Sequence, residues 1–282
     1  MKIAFLTLGC KLNYAETSTY ERGFKEAGLE VVPWQQKADI YLVNTCSVTA
    51  TSDSKSRNLI RKVHRVNPSA RIVVTGCSAQ LRREEIERIG GVTRVFGAEE
   101  KSLVVSETLH GGAVPGTDIP RVFGAYSTGE RTRSFLKVQD GCNNFCKYCT
   151  VPYARGRSRN IPISECVENA RKIASEGIKE IVLTGVNTGD FGRTTGESFL
   201  DLLKALNDVD GIERYRISSI EPNLITEEIV DWIASGTKFQ PHFHIPLQTG
   251  ADSQLEAMGR HYDTAFFKGR IDYIRSKMEA PD

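Results

Sequence analysis

Short apolar runs alternate with amphipathic stretches through the first hundred residues. Ile3–Leu8 is a near-continuous apolar run and predicts a strand buried on both faces. Asn13–Ala27 predicts a helix closed by Gly28. Ile40–Val43 predicts a strand, and Ser52–Val66 a helix that stops before Pro68. Arg71–Thr75 predicts a strand, Ala79–Ile89 a helix and Thr93–Phe96 a strand. Buried strands alternating with amphipathic helices predict an α/β fold, here an open, doubly wound parallel sheet over residues 1–110.

Residues 111–133 break this pattern. Gly111, Gly112, Pro115, Gly116, Pro120, Gly124 and Gly129 mark a linker. A second β/α series, residues 134–282, opens with strand Phe135–Gln139. Helix Ser164–Ser175, strand Glu180–Leu183, helix Phe199–Leu206, strand Tyr215–Ser218, helix Glu227–Ala234 and strand His242–Pro246 follow, then helices Ser253–Met258 and Thr264–Met278. Four strands are fewer than a closed eight-stranded barrel needs. A partial (β/α) barrel is therefore expected, its C-terminal part missing.

With 40% hydrophobic and 26% charged residues, the chain can fill a core. The net charge of +2 is too mild to establish a nucleic-acid partner by itself. No run approaches a membrane span, and Ile3–Leu8 is too short for a secretory core, so a soluble, cytoplasmic protein is expected. The seven cysteines are an odd set for a disulfide framework, and three of them fall within eight residues. In a chain this long such clustering points to metal or catalytic sites in a reducing compartment.

Cys142-x3-Cys146-x2-Cys149 follows the first strand of the second series. Three thiolates on one loop suit an iron–sulfur cluster or zinc. No fourth cysteine follows, because the next residues are Thr150, Val151 and Pro152. Three ligands leave one metal position open, where a substrate or cofactor can bind. A structural zinc loop is the alternative and requires a fourth ligand, for which Cys166, His242 and His244 are available. Cys10, Cys46 and Cys77 each fall just past a predicted strand. Open α/β sheets form their sites at that edge, so these three are expected to converge.

The loop, with an aromatic before its last cysteine, resembles that of the radical S-adenosylmethionine superfamily. Further upstream, Leu8-Gly9-Cys10-Lys11-Leu12-Asn13, Asn44-Thr45-Cys46-Ser47-Val48-Thr49 and Thr75-Gly76-Cys77-Ser78-Ala79-Gln80 resemble the three cysteine motifs of the methylthiotransferases. Pro152-Tyr153-Ala154-Arg155-Gly156 matches the flank of their radical loop. The resemblance spans nearly the whole chain. It implies two [4Fe-4S] clusters, an auxiliary one on Cys10, Cys46 and Cys77 and a radical-generating one on Cys142, Cys146 and Cys149. One S-adenosylmethionine would supply a methyl group and a second the radical that activates a C–H bond. An external electron donor is implied, and a monomer is expected.

Gly-Cys-Lys-x-Asn and Asn-Thr-Cys-x-Val-Thr resemble the branch acting at C2 of N6-threonylcarbamoyladenosine beside the tRNA anticodon. The isopentenyladenosine and ribosomal-protein branches are the alternatives within the family. An electron-transfer or redox-sensing iron–sulfur protein and a zinc-stabilised RNA-binding module are the non-enzymatic ones. Family members carry a further RNA-binding β domain; without one, weaker unaided tRNA affinity is expected.

Basic residues give separate support for RNA. Lys55, Arg57, Arg61, Lys62, Arg65, Arg71, Arg82 and Arg83 occur with no acid between Asp53 and Glu84. Such side chains bind phosphate without reading sequence, although a solvated helix face explains them equally well. Arg155, Arg157 and Arg159 form a second basic group that either contacts RNA or pairs with acids.

By the superfamily resemblance, Gly185, Asn187 and Thr188 end a strand beside the methionyl part of S-adenosylmethionine. Ser218 and Glu221 end the next strand, where they could bond ribose hydroxyls, and His244 and Gln248 end the fourth. Tyr148 is placed to stack on adenine. Loop capping and plain packing are the alternatives for these positions. Cys166 lies on the apolar face of its helix and reads as core. His64 and His110 read as surface residues.

Overall fold

The computed structural model describes residues 1–113, 122–129, 132–193 and 195–278. The chain divides into two compact units, residues 1–127 with 153–156, and residues 128–152 with 157–282.

In the first unit, β1 (Lys2–Thr7) leads into α1 (Lys11–Glu26), β2 (Glu30–Val31), β3 (Ile40–Thr45) and α2 (Ala50–Val66). β4 (Arg71–Gly76), α3 (Cys77–Leu81), α4 (Arg83–Glu87), β5 (Val92–Val95) and α5 (Val104–His110) follow. A two-residue strand, β6 (Ala125–Tyr126), is tied to α1 through Thr19 and Arg22, both bonded to the Tyr126 carbonyl. Residues 114–121 and 130–131 of the expected linker lie outside the described residues.

The sheet order is β2-β1-β3-β4-β5, with every pair parallel. All six residues of β3 are buried, as its continuous apolar run requires. Side-chain alternation splits them between two cores. Tyr41 and Val43 pack with Ile60, Val63 and Ile86 of α2 and α4. Ile40 and Leu42 pack with Tyr20 and Phe24 of α1 and with Val104 of α5. Each fully buried aliphatic side chain contributes about 1.5–3 kcal/mol.

This strand order turns back between β1 and β3. At such a switch point the connections leave toward opposite faces and open a crevice at the strand C-termini. The predicted helix Ala79–Ile89 is two short helices, because Arg82 departs to φ −130°, ψ 35° and caps both.

In the second unit, β7 (Arg133–Lys137) is followed by β8 (Gln139–Asp140), α6 (Val151–Arg155), β9 (Arg159–Asn160), α7 (Ile163–Ser175) and β10 (Glu180–Thr184). α8 (Phe199–Asn207), β11 (Arg214–Ile217), α9 (Glu227–Ala234), α10 (Asp252–Met258) and α11 (Thr264–Lys277) complete it. α6 begins in this unit, but its residues from Tyr153 belong to the first. β10 runs parallel to β7 on one side and to β11 on the other, and β8 and β9 form a short antiparallel pair.

The expected strand His242–Pro246 does not form. Only isolated bridges, Tyr215 with Phe239 and Ser219 with His244, continue the parallel arrangement past β11. Pro241 precedes this stretch and Pro246 ends it, and neither offers an amide donor to a ladder. No helix among the described residues is long and apolar enough to cross a membrane.

Candidate metal and cofactor sites

In the first unit the three cysteines leave adjacent strands at one edge. Thr7 pairs with Asn44, Asn44 with Thr75 and Thr45 with Gly76. Cys10, Cys46 and Cys77 lie one to three residues beyond these pairs. Cys10 is exposed, whereas Cys46 and Cys77 are each 6% exposed. Cys10 caps the N-terminus of α1 and Cys77 opens α3. Cys10 therefore sits at the positive end of the α1 dipole.

A buried polar frame fixes these loops. Asn13 is 1% exposed and donates to the carbonyls of Leu8 (2.8 Å) and Thr45 (2.9 Å), clamping the first cysteine loop to the second. The Cys10 thiol lies 3.7 Å from Asn13 Oδ1. Ser56 accepts from the Cys46 amide (3.2 Å) and donates to the Cys46 carbonyl (3.0 Å). Thr45 Oγ1 accepts from the amide of Ala79 at the start of α3 (3.1 Å). Gly9 is required here: at φ +109°, a Cβ would come 3.0 Å from Cys46 Cβ.

Beside this frame lies a buried charge cluster. Lys101 Nζ is 2.8 Å and Arg155 Nη1 3.3 Å from Glu16 Oε1, and Arg155 also bonds Asn13 Oδ1. The three charged side chains are 3%, 3% and 0% exposed. Two buried cations thus share one carboxylate. Burial pushes the Cys77 thiol up, and Arg155 and Lys101 oppose that shift. A buried thiolate needs compensating positive charge, and this site combines three thiols with two nearby cations. The donor set fits an anionic iron–sulfur cluster.

In the second unit, Cys142, Cys146 and Cys149 follow β8. The amide of Cys149 bonds the Cys146 carbonyl (2.8 Å), and the amide of Asn144 points at Cys142 Sγ (3.5 Å). Phe145 is turned into the left-handed region at φ 46°, which is rare for an aromatic residue. Burial raises the Cys142 thiol, opposed by the Asn144 amide and reinforced by Glu221. Burial also raises the Cys146 thiol, opposed by Arg260. The strand end before the loop is held by buried Lys137, 2.7 Å from Asp140, with Arg159 at 3.7 Å on the same carboxylate.

Several expected cofactor positions converge here. Gln139 Oε1 accepts from the amides of Val186 (2.9 Å) and Asn187 (3.1 Å), tying the end of β10 to β8. A Cβ at Gly185 would sit 2.8 Å from that oxygen, which explains the glycine. Asn187 Oδ1 accepts from the Glu221 amide (3.3 Å). Thr188 bonds the Ser219 carbonyl through both its amide and its hydroxyl, each at 3.0 Å.

Glu221, Tyr148 and Gln248 are joined through Arg260. Its guanidinium lies 2.6 Å from Glu221 Oε1 and also bonds the Tyr148 hydroxyl, which reaches Gln248 at 3.1 Å. Gln248 also has a left-handed backbone, at φ 73°. Ser218 is buried and its amide bonds the Leu183 carbonyl. The His244 side chain is exposed, and the residue joins the fold through its carbonyl, bonded by the Ile220 amide (3.1 Å).

Among the described residues, no three His, Cys, Asp or Glu side chains close on one point as a single metal ion requires. A four-iron cluster asks less of its thiolates, because each binds a different iron.

Sequence reasoning missed Glu16, Lys101, Gln139 and Arg260. Glu16 carried a signal, since it stands four residues from both Leu12 and Tyr20 on the buried stripe of α1. Arg260 and Lys101 carried none. Arg155 is a buried ion-pair partner, and Arg159 pairs with Asp140. Cys166 is fully buried, as expected. His110 is exposed, whereas His64 is half-buried with a shielded Nδ1.

Residues 136–279, more than half the chain, match the family described as the Radical SAM superfamily. Residues 2–97 match Uncharacterized protein family UPF0004. The chain is 39% identical to the threonylcarbamoyladenosine tRNA methylthiotransferase MtaB of Bacillus subtilis, over 98% of this chain and 64% of that one. It is 36% identical to the MtaB of Aquifex aeolicus, over 97% and 69%. The ribosomal protein uS12 methylthiotransferase RimO of Aquifex aeolicus is 31% identical, over 99% and 63%.

The chain spans about two thirds of the length of these relatives. Among solved structures, the radical S-adenosylmethionine methyltransferase TsrM of Kitasatospora setae shares the fold. Its TM-score is 0.66 at 15% identity, over 98% of this chain and 66% of that one. The family match places the second unit in the radical S-adenosylmethionine superfamily. The chain belongs to the methylthiotransferase family within that superfamily. Membership of the superfamily implies a four-iron cluster and S-adenosylmethionine.

Proposed function

We propose that this chain is the catalytic part of a tRNA methylthiotransferase that places a methylthio group at C2 of N6-threonylcarbamoyladenosine. The observation that carries this reading is the second set of cysteines. Cys10, Cys46 and Cys77 stand at adjacent strand ends at the switch point of a separate sheet, beside a buried pair of cations. Radical generation alone requires only the Cys142 loop. The identities of 35–39% to MtaB proteins support the threonylcarbamoyladenosine branch.

When bound, the two [4Fe-4S] clusters and S-adenosylmethionine supply the radical, the methyl group and the sulfur. The chain's own residues position and insulate. Cys142, Cys146 and Cys149 would hold the cluster that receives an external electron. Gln139 fixes the ends of β8 and β10, so that Gly185, Asn187 and Thr188 present a rigid wall. Glu221, held by Arg260, offers an oriented carboxylate for hydroxyl donors, and Tyr148 an exposed ring for an adenine face. Cys10, Cys46 and Cys77 would hold the auxiliary cluster, with Asn13 and Ser56 fixing their loops and Arg155 and Lys101 offsetting its negative charge. The working compartment would be the cytoplasm, where thiols stay reduced.

The test is to incubate anaerobically reconstituted protein with S-adenosylmethionine, dithionite and tRNA bearing threonylcarbamoyladenosine. Digested nucleosides are then read by mass spectrometry. A mass gain corresponding to a methylthio group on that nucleoside supports the reading. Modification of isopentenyladenosine instead, or of neither, refutes it.

A further inference from the structure

The run of basic residues along α2 is not used by either cysteine site. Much of it is consumed inside the first unit. Arg57 pairs with Asp53 (2.7 Å) and approaches Glu85 (3.7 Å). Arg82 approaches the same two acids, and Arg83 bonds Glu100. Arg71 bonds the Thr108 carbonyl (3.0 Å). Arg61 and Arg65 are different. Both are exposed, and neither has a carboxylate partner among the described residues; Arg61 bonds only the neutral Asn58, at 3.4 Å.

These two arginines line a cavity of about 660 Å³ with Asn58, His64, Glu85 and Arg88. Its one carboxylate, Glu85, is already engaged by Arg57 and Arg82, and Arg88 pairs with Glu84 (3.2 Å) on the open surface. His64 Nδ1 is buried and has no hydrogen-bond partner among the described residues. A basic residue in the last turn of α2 answers the helix dipole. That accounts for Arg65, and for Arg88 at the C-cap of α4, but not for Arg61 one turn earlier.

α2 starts just past Cys46 and ends before β4, while the Arg88–Gly90 stretch leads into β5. The cavity therefore lies toward the strand N-termini, at the edge of the sheet opposite the three cysteines.

We infer that this cavity is a phosphate-binding site that takes the sugar–phosphate backbone of RNA, away from the auxiliary cysteines. Two unneutralised guanidiniums, with planar forks spaced one helical turn apart, suit neighbouring phosphodiesters. The inference rests on the RNA substrate class proposed above and adds where that RNA is held.

The experiment measures binding of fluorescently labelled, in-vitro-transcribed tRNA by anisotropy across a NaCl series. It compares the wild-type chain with the Arg61→Glu/Arg65→Glu pair and with the neutral Arg61→Gln/Arg65→Gln pair, each checked for folding by its thermal melt. Charge reversal is expected to raise Kd at least tenfold at low salt. Either pair should lower the slope of log K against log salt by about two, one for each phosphate no longer neutralised. Arg61→Lys/Arg65→Lys should retain most of the affinity. RNA-independent formation of 5′-deoxyadenosine should stay at the wild-type level throughout.

Unchanged Kd and slope in both pairs would overturn the inference and leave the methylthiotransferase reading standing. It would equally be overturned if inorganic phosphate or ATP bound the wild type, lost binding in the variants, and tRNA affinity did not change. A wild-type chain with no measurable tRNA affinity would overturn this site, while the nucleoside assay above decides the substrate class separately.

Discussion

Lys101 Nζ lies 2.8 Å from Glu16 Oε1, and neither side chain is more than 3% exposed. The pair joins residues 85 positions apart, and Arg155 shares its carboxylate. Removing one partner of such a pair leaves an uncompensated buried charge. Glu16→Gln removes the carboxylate that two buried cations share and is expected to destabilise the iron-free protein by roughly 3–5 kcal/mol. Urea denaturation followed by circular dichroism checks this. A loss below about 1 kcal/mol would mean that water already reaches these charges.

Asn13→Ala removes the clamp between the Leu8 and Thr45 carbonyls and leaves both short of a donor. About 1–3 kcal/mol of stability is expected to be lost. The consequence for metal is more selective. Iron per chain after anaerobic reconstitution should fall from about eight toward about four, because only the first site depends on this clamp. Equal loss from both sites would show a general unfolding effect.

Arg260 joins Glu221 to Tyr148, and the two partners differ in burial. Glu221 is 7% exposed, whereas Tyr148 is 53% exposed. Arg260→Gln should weaken S-adenosylmethionine binding to the reconstituted protein by roughly tenfold or more, about 1.4 kcal/mol, because the Glu221 carboxylate loses its orientation. Tyr148→Phe removes only an exposed hydroxyl and should change Kd less than threefold, about 0.6 kcal/mol. Isothermal titration calorimetry distinguishes the two.

Burial drives the Cys166 thiol well up from its ordinary range, and neighbouring Glu165 and Glu197 add to the shift. In the unfolded chain that thiol ionises near pH ~8.5. Above this pH the folded state holds a proton that the unfolded state has released, so stability falls as pH rises toward the folded value. Cys166→Ala should remove this contribution. The wild type is therefore expected to lose stability faster than the variant between pH ~8.5 and ~10, by up to about 1.4 kcal/mol per pH unit. Chemical denaturation of both proteins at several pH values measures the difference. Iron content should be equal in the two, since Cys166 faces the core.

The two cysteine sets were legible in the sequence for different reasons. The spacing of Cys142, Cys146 and Cys149 reports on one loop and needs no fold. The gathering of Cys10, Cys46 and Cys77 needed the parallel sheet, whose buried strands were readable as apolar runs. Long-range charge pairing was not readable. Nothing near Lys101 announces Glu16, and Arg260 meets Tyr148 across 112 positions. The basic run from α2 to α4 looked uniform because Glu85, which approaches Arg57, and Glu100, which pairs with Arg83, are remote in sequence from those two arginines. The strand expected at His242–Pro246 failed because its apolar content was read without weighing Pro241 before it and Pro246 at its end.

The most direct measurement separates the two cysteine sites by product. Cys10→Ala protein, reconstituted anaerobically and given S-adenosylmethionine, dithionite and tRNA bearing threonylcarbamoyladenosine, is assayed for 5′-deoxyadenosine and for the methylthiolated nucleoside. With distinct roles for the sites, 5′-deoxyadenosine forms and the methylthiolated nucleoside does not, while Cys146→Ala yields neither. A folded Cys10→Ala protein that makes no 5′-deoxyadenosine, or that still methylthiolates tRNA, would contradict the division of labour between the two sites.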